Sequence, residues 1–134
     1  MRKCGKWCTT CPYVKEGKEV KIDNQKTWKL KKNFNCETKD IVYLIECIKC
    51  KQRYIGESKR GLKYRLADHR GYVNREYLNT PTGAHFNTPG HSLSDLSVTI
   101  LEQMKNKDDI YRKEREKYFM NKFNTIYKGL NKQK

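Results

Sequence analysis

Ile41-Val42-Tyr43-Leu44-Ile45 and Arg53-Tyr54-Ile55-Gly56 are the two stretches on which the fold turns. The first is β-branched and aromatic, the composition of a buried strand, and Cys47 to Gln52 supplies a turn after it. The second returns as a strand expected to stop at Gly56. The two read as an antiparallel hairpin that brings Tyr43 and Tyr54 near each other, with a register that the sequence leaves open.

Beyond the hairpin, Ser58 is a reasonable N-cap for a helix over 59–74, on which Leu62, Leu66 and Val73 form an apolar stripe. Arg65 and His69 are four positions apart, so they project about 40° from each other, on a flank beside the stripe where both can face one cleft. Residues 77–93 hold Pro81, Gly83, Pro89 and Gly90 and read as loop with one short helix. Leu96 to Leu101 is a third strand. A second long helix is expected over 108–122, with Ile110, Tyr111, Tyr118, Phe119 and Phe123 as core contacts. Together these elements predict an α+β fold, a small antiparallel three-stranded sheet flanked by helices. Residues 40–134 are expected to form that domain, and residues 1–39, rich in Lys and Cys with little periodicity, a small basic appendage.

Thirty Lys and Arg stand against fifteen Asp and Glu in 134 residues, a formal net charge of +15. A polyanion is the natural partner, nucleic acid first. Val, Ile, Leu and Phe number 26 of 134, low enough for a highly charged chain that something besides apolar burial must help it fold. Six cysteines are the obvious help. Cys4, Cys8 and Cys11 form a C-x3-C-x2-C run, Cys36 stands alone, and Cys47 and Cys50 form a C-x2-C pair. Met1-Arg2-Lys3-Cys4 leads into no apolar region of a secretory signal. A reducing, intracellular compartment is therefore expected, where closely spaced thiols are more often metal ligands than disulfides. No apolar run nears the roughly 18 residues needed to span a bilayer.

The tripeptides Ile41-Val42-Tyr43 and Tyr54-Ile55-Gly56, followed by Arg65, His69, Glu116 and the Asn131 of Gly129-Leu130-Asn131, resemble the GIY-YIG nucleases. The resemblance implies that fold and a metal-dependent DNA endonuclease activity. It implies Tyr43 as general base or water-orienting group, Tyr54 as its hydrogen-bonding partner, Arg65 as phosphate clamp, and His69 as the more variable member. Glu116 would be the carboxylate for a single Mg²⁺ or Mn²⁺, with Asn131, fifteen positions on, as support. Glu114 competes with Glu116 from about 160° round the helix, but the aromatic Tyr118 and Phe119 that follow favour Glu116. Ile41 stands where the family name has Gly, a replacement a strand accepts. Singly, a strand tyrosine is packing and a helical Arg-His pair is a solvated flank; the ordered set carries the weight.

Cys47 and Cys50 between the tripeptides, with His85 and His91 later, resemble the endonuclease domain of Penelope-like retroelements, as do the upstream Cys4, Cys8, Cys11 and Cys36. Thiolate and imidazole ligands at these spacings suit tetrahedral Zn²⁺. Two structural zincs are expected: Cys47, Cys50, His85 and His91 hold one, and Cys4, Cys8, Cys11 and Cys36 in an N-terminal cysteine-rich zinc-binding segment hold the other. The resemblance implies DNA nicking that primes reverse transcription, a reverse transcriptase domain as partner, and a nuclear location. The alternatives are a non-catalytic zinc-binding nucleic-acid module, a repair or branched-DNA nuclease of the same superfamily, and a secreted disulfide-rich cationic protein.

Overall fold

The computed structural model describes residues 1–105 and 108–131; residues 106–107 and 132–134, which the expected 40–134 domain includes, lie outside the described residues. Its elements are β1 (Glu19–Lys21), β2 (Thr27–Lys29), β3 (Ile41–Cys47), β4 (Arg53–Ser58), α1 (Leu62–Asn74), α2 (Pro81–His85), β5 (Leu96–Gln103), α3 (Asp109–Lys122) and α4 (Thr125–Lys128). Strands β4, β3 and β5 form an antiparallel sheet in that order, and β1 pairs with β2 in a separate hairpin. The expected α+β class and three-stranded sheet stand.

The register sets Tyr43 opposite Gly56 and Ile45 opposite Tyr54, so both tyrosines project from one face on a diagonal. Gly56 does not end its strand. Tyr43 lies across it: a Cβ at position 56 would meet Tyr43 Cζ and Oη at 2.4 Å. With no side chain there, the ring crosses the neighbouring strand and pairing continues to Ser58. The helix consequently starts at Leu62, with Gly61 rather than Ser58 in the capping position.

Alternation along β3 gives the sheet two apolar faces. Ile41, Tyr43 and Ile45 pack with Val98 and Ile100 of β5 and with Leu62, Leu66 and Val73 of α1. Val42, Leu44 and Ile55 pack on the other face with Phe119 of α3 and with Phe123 just past its end. Ile110, Tyr111 and Tyr118, expected in this core, are exposed. The helix meets the sheet along the line Arg112, Phe119 and Phe123, spaced i, i+7, i+11, and the three exposed residues fall off that line. Arg112 is buried, donating to Glu57 and, at 2.8 Å, to Asp109.

Residues 1–39 do not stand off as an appendage. Met1, Val14 and Phe34 enter the core on the α1 face and Val20 the core on the α3 face. Val14 runs beside the free edge of β5, with Lys15 N donating to Val98 O at 2.9 Å. Trp28 meets Phe119 edge-on at 4.9 Å, and its indole N–H donates to Leu101 O. A chain this poor in aliphatic residues cannot cover both faces of its sheet from the later elements alone, and the N-terminal residues complete them.

Candidate active site

Helical spacing decides where His69 goes. Leu62, Leu66, His69 and Val73 fall on one line of α1, so His69 lies within the apolar stripe instead of beside it, and is 2% exposed. It meets Tyr43, which is completely buried, through a 2.7 Å contact between Nε2 and the tyrosine Oη. On its other side Nδ1 lies 2.7 Å from Thr82 Oγ1 of α2. The rings of Tyr54 and Tyr72 stand edge-on to the imidazole at 5.5 and 5.6 Å. Arg65, one turn before His69, donates to Asp68 at 3.2 Å and to Tyr72 Oη at 3.3 Å.

Burial and charge set the protonation of this cluster. Burial pushes the Tyr43 phenol well above the ordinary tyrosine range and Tyr54 adds to the rise, while the Arg65 guanidinium opposes it. Tyr54 is raised too, again by burial first. His69 is pushed down to about 3 by burial and by Arg65, against a small opposing pull from Asp68. It is therefore neutral at ordinary pH, with one ring N–H. The Glu116 carboxylate, half-buried on α3, acts on both Tyr43 and Tyr54. Glu114 is exposed.

Asn131 takes a different position. Its Oδ1 accepts from Ile55 N and its Nδ2 donates to Ile55 O, both at 2.8 Å, so the side-chain amide closes the open edge of β4 as another strand would. It touches the backbone next to Tyr54, not the tyrosine–histidine cluster. Thr82 and Asp68 carry no signal in the sequence that ties them to this cluster. Thr80 and Pro81 do mark the start of α2, with Thr80 Oγ1 accepting from Gly83 N at 3.1 Å, but nothing local links Thr82 to a histidine thirteen residues earlier.

Two further groups of side chains converge. Cys47 ends β3, Cys50 follows in the turn, His85 ends α2 and His91 lies in the loop beyond; their ligand atoms all fall within 4.8 Å of one another. Cys50 Sγ is 3.3 Å from His85 Nε2. His91 Nδ1 lies 3.0 Å from Thr88 Oγ1, leaving a buried Nε2 with no hydrogen-bond partner. Imidazole ligands of metals are commonly held in this way, anchored through one nitrogen with the other left for the ion. Burial works to raise the Cys50 thiol, yet the Gln52 backbone N–H, His91 and Cys47 bring it below its usual value, toward thiolate. Soft donors so arranged fit Zn²⁺.

Cys4, Cys8, Cys11 and Cys36 likewise gather within 4.8 Å. Cys4 and Cys36 are joined in a disulfide, and Cys8 and Cys11 approach Cys36 at 3.3 and 3.7 Å. Four sulfurs this close form a ligand set able to hold zinc once Cys4 and Cys36 are reduced, since ligands at about 2.3 Å from a tetrahedral ion lie under 4 Å apart.

Comparison with protein families matches residues 39–131 to the GIY-YIG catalytic domain. No curated protein and no solved structure matches the chain.

Proposed function

The chain belongs to the GIY-YIG catalytic domain family, a nuclease superfamily, and from that premise we propose that it is a divalent-metal-dependent DNA endonuclease. The observation that carries this reading is the convergence of Tyr43, Tyr54, Arg65 and His69 within reach of the Glu116 carboxylate. Tyr43 takes the proton of, or orients, the attacking water; its hydrogen-bonding partner is His69, not Tyr54 as expected, and Tyr54 stands edge-on to that imidazole. Arg65 binds the scissile phosphate, where its fixed charge opposes the negative charge that develops there. His69 contacts the Tyr43 oxygen. Asn131 supports the site by holding β4 in place.

Glu116 suits Mg²⁺ or Mn²⁺: a single carboxylate leaves the remaining positions to water and phosphate oxygens, the usual way such ions meet nucleic acid. The ion would supply Lewis-acid stabilisation of the phosphoryl oxygens. Zn²⁺ in the Cys47, Cys50, His85 and His91 set, and a second in the Cys4, Cys8, Cys11 and Cys36 set, would be structural, since neither set contains Glu116. The cysteine and histidine pattern further favours a retroelement endonuclease. It would act in the nucleus, nick its target and hand the exposed end to a reverse transcriptase domain of the same parent protein. Residues 1–39 then serve as a zinc-binding segment and 40–134 as the nuclease domain. Among the described residues no helix is long and apolar enough to cross a membrane.

Cleavage of an end-labelled DNA duplex, titrated with Mg²⁺ or Mn²⁺ and analysed for 3′-hydroxyl ends, tests this. Metal-dependent cuts are expected. Salt-sensitive binding without cuts by zinc-loaded protein would favour a non-catalytic nucleic-acid module instead.

A further inference from the structure

Tyr111 and Tyr118 are large rings that α3 leaves in solvent. Their placement is not scattered. Tyr111, Arg115, Tyr118 and Lys122 follow the spacing i, i+4, i+7, i+11 and fall within about 60° of the helix circumference, so they make one line. Rings and cations alternate along it and face each other: the Arg115 guanidinium lies 4.2 Å from the Tyr118 ring centroid and Lys122 Nζ 5.5 Å from it. Lys122 also stands over the Trp28 ring of β2, at 5.8 Å. Glu116 projects at least about 100° away from all four and acts on Tyr43 and Tyr54. The line is therefore separate from the nuclease cluster.

Beside the line lies a cavity of about 540 Å³ between β2, β5 and α3. Trp28, Leu101 and Tyr111 give it apolar walls, and the exposed Lys31, Lys32 and Lys105 line it too. Among the described residues one acid lines it, Glu102, and Arg115 holds both of its oxygens, at 2.6 and 2.9 Å. The lysines are thus left as a positive rim around aromatic walls. An apolar partner helix would strip water from those ammonium groups and return nothing. A duplex would meet them with phosphates but keep its bases stacked away from the rings. An unpaired strand offers phosphates and free base faces together, which is what cations interleaved with aromatic rings take up. The cavity is in the size range of small-ligand pockets, enough for a nucleobase.

We propose that this face of α3 and the cavity beside it bind single-stranded DNA, with bases stacked on Tyr111, Tyr118 and Trp28 and phosphates on Lys31, Lys32 and Lys105. The face is one helix width, about 10–12 Å, from the Glu116 side, so a strand parted at the site reaches it within a few nucleotides. It gives the opened strand a seat outside the cutting site. The binding surface goes beyond the nuclease reading and rests on it only for the source of the strand, the DNA opened at the nick.

The test is fluorescence anisotropy of a labelled oligothymidylate with the full zinc-loaded chain, without Mg²⁺ so that binding is read apart from cutting. Tyr111→Leu with Tyr118→Leu should weaken binding at least about tenfold, for two lost stacking contacts. Tyr111→Phe with Tyr118→Phe keeps the rings and should bind as the wild type does. A blunt duplex should bind the wild type and the leucine variant alike. Lys31→Ala with Lys32→Ala should reduce the slope of log affinity against log salt by about 1.4, two phosphates of a single strand. In Trp7→Phe, where Trp28 is the one tryptophan left, its emission should be quenched as the oligonucleotide binds. Unchanged oligothymidylate affinity in the leucine variant, or an equal loss for the duplex, overturns the proposal, and a matched RNA strand bound more tightly overturns the choice of DNA. If the leucine variant does not fold, the salt slope of the lysine variant decides. A wild type that never nicks DNA yet loses oligothymidylate with its tyrosines removes the nuclease reading and leaves this surface standing; one that nicks and binds equally without them does the reverse.

Discussion

At position 56 the absence of a side chain determines where a tyrosine can lie. Gly56→Ala puts a Cβ 2.4 Å from two atoms of the fully buried Tyr43 ring, which has no slack to give. Overpacking of this kind costs about 1–3 kcal/mol. Urea denaturation should show that loss, and nicking should fall with it as Tyr43 leaves His69. His69 gives a second prediction at this scale. Its pKa is about 3 folded and 6.5 as the ordinary value, so the unfolded chain binds its proton first as pH falls. The stability due to neutral His69 is full above pH 6.5 and declines as pH drops toward 3. By pH 4.5 the loss is about 3 kcal/mol. Urea midpoints at pH 7 and 4.5 should differ more for the wild type than for His69→Gln, in which every other titrating group is kept. Equal differences would mean that His69 is not desolvated as the structure has it.

Among the elements, β4 is held from two directions, by β3 on one side and by the Asn131 amide on the other. Asn131→Ala removes both bonds to Ile55, about 2 kcal/mol at roughly 1 per bond. It should speed hydrogen exchange at the Ile55 amide before it changes α1; unchanged exchange there would contradict the staple. The second element of interest is α2, five residues carrying Thr82 near its start and His85 at its end. Stripping zinc with a chelator that spares Mg²⁺ should loosen α2 and depress nicking even with Mg²⁺ in excess, with recovery on adding Zn²⁺. The sequence made β3, both long helices and the α2 region legible through apolar runs, helical spacing or Pro/Gly boundaries, and β5 only through a loose alternation, since that strand is buried along most of its length. It did not reveal that Gly56 sits inside its strand, since glycine reads locally as a stop and only the register brings Tyr43 over it. Nor did it place His69 in the apolar stripe, because a histidine between Leu66 and Val73 carries no hydrophobic signal. Thr82 was invisible for the same reason as any contact made across two loops.

For the whole molecule, the N-terminal residues are part of the fold. Met1, Val14 and Phe34 line one core and Val20 and Trp28 the other, so both faces of the sheet depend on residues that composition alone suggested were peripheral. The net charge of +15 acts at this scale too. If DNA engages about six cationic contacts, binding should weaken about a thousandfold between 50 and 200 mM salt through counterion release; a flat response would argue against a phosphate-dominated interface. The central claim is that Glu116 and Tyr43 belong to a metal-dependent DNA-cutting site. It is tested most directly by following supercoiled plasmid in Mg²⁺, with wild type, Glu116→Ala and Tyr43→Phe compared at matched DNA binding. Conversion to nicked and linear forms by the wild type, abolished by EDTA and in both variants while binding persists, is the predicted result. Cleavage that survives in Glu116→Ala, or its absence from well-folded, zinc-loaded wild type, would contradict it.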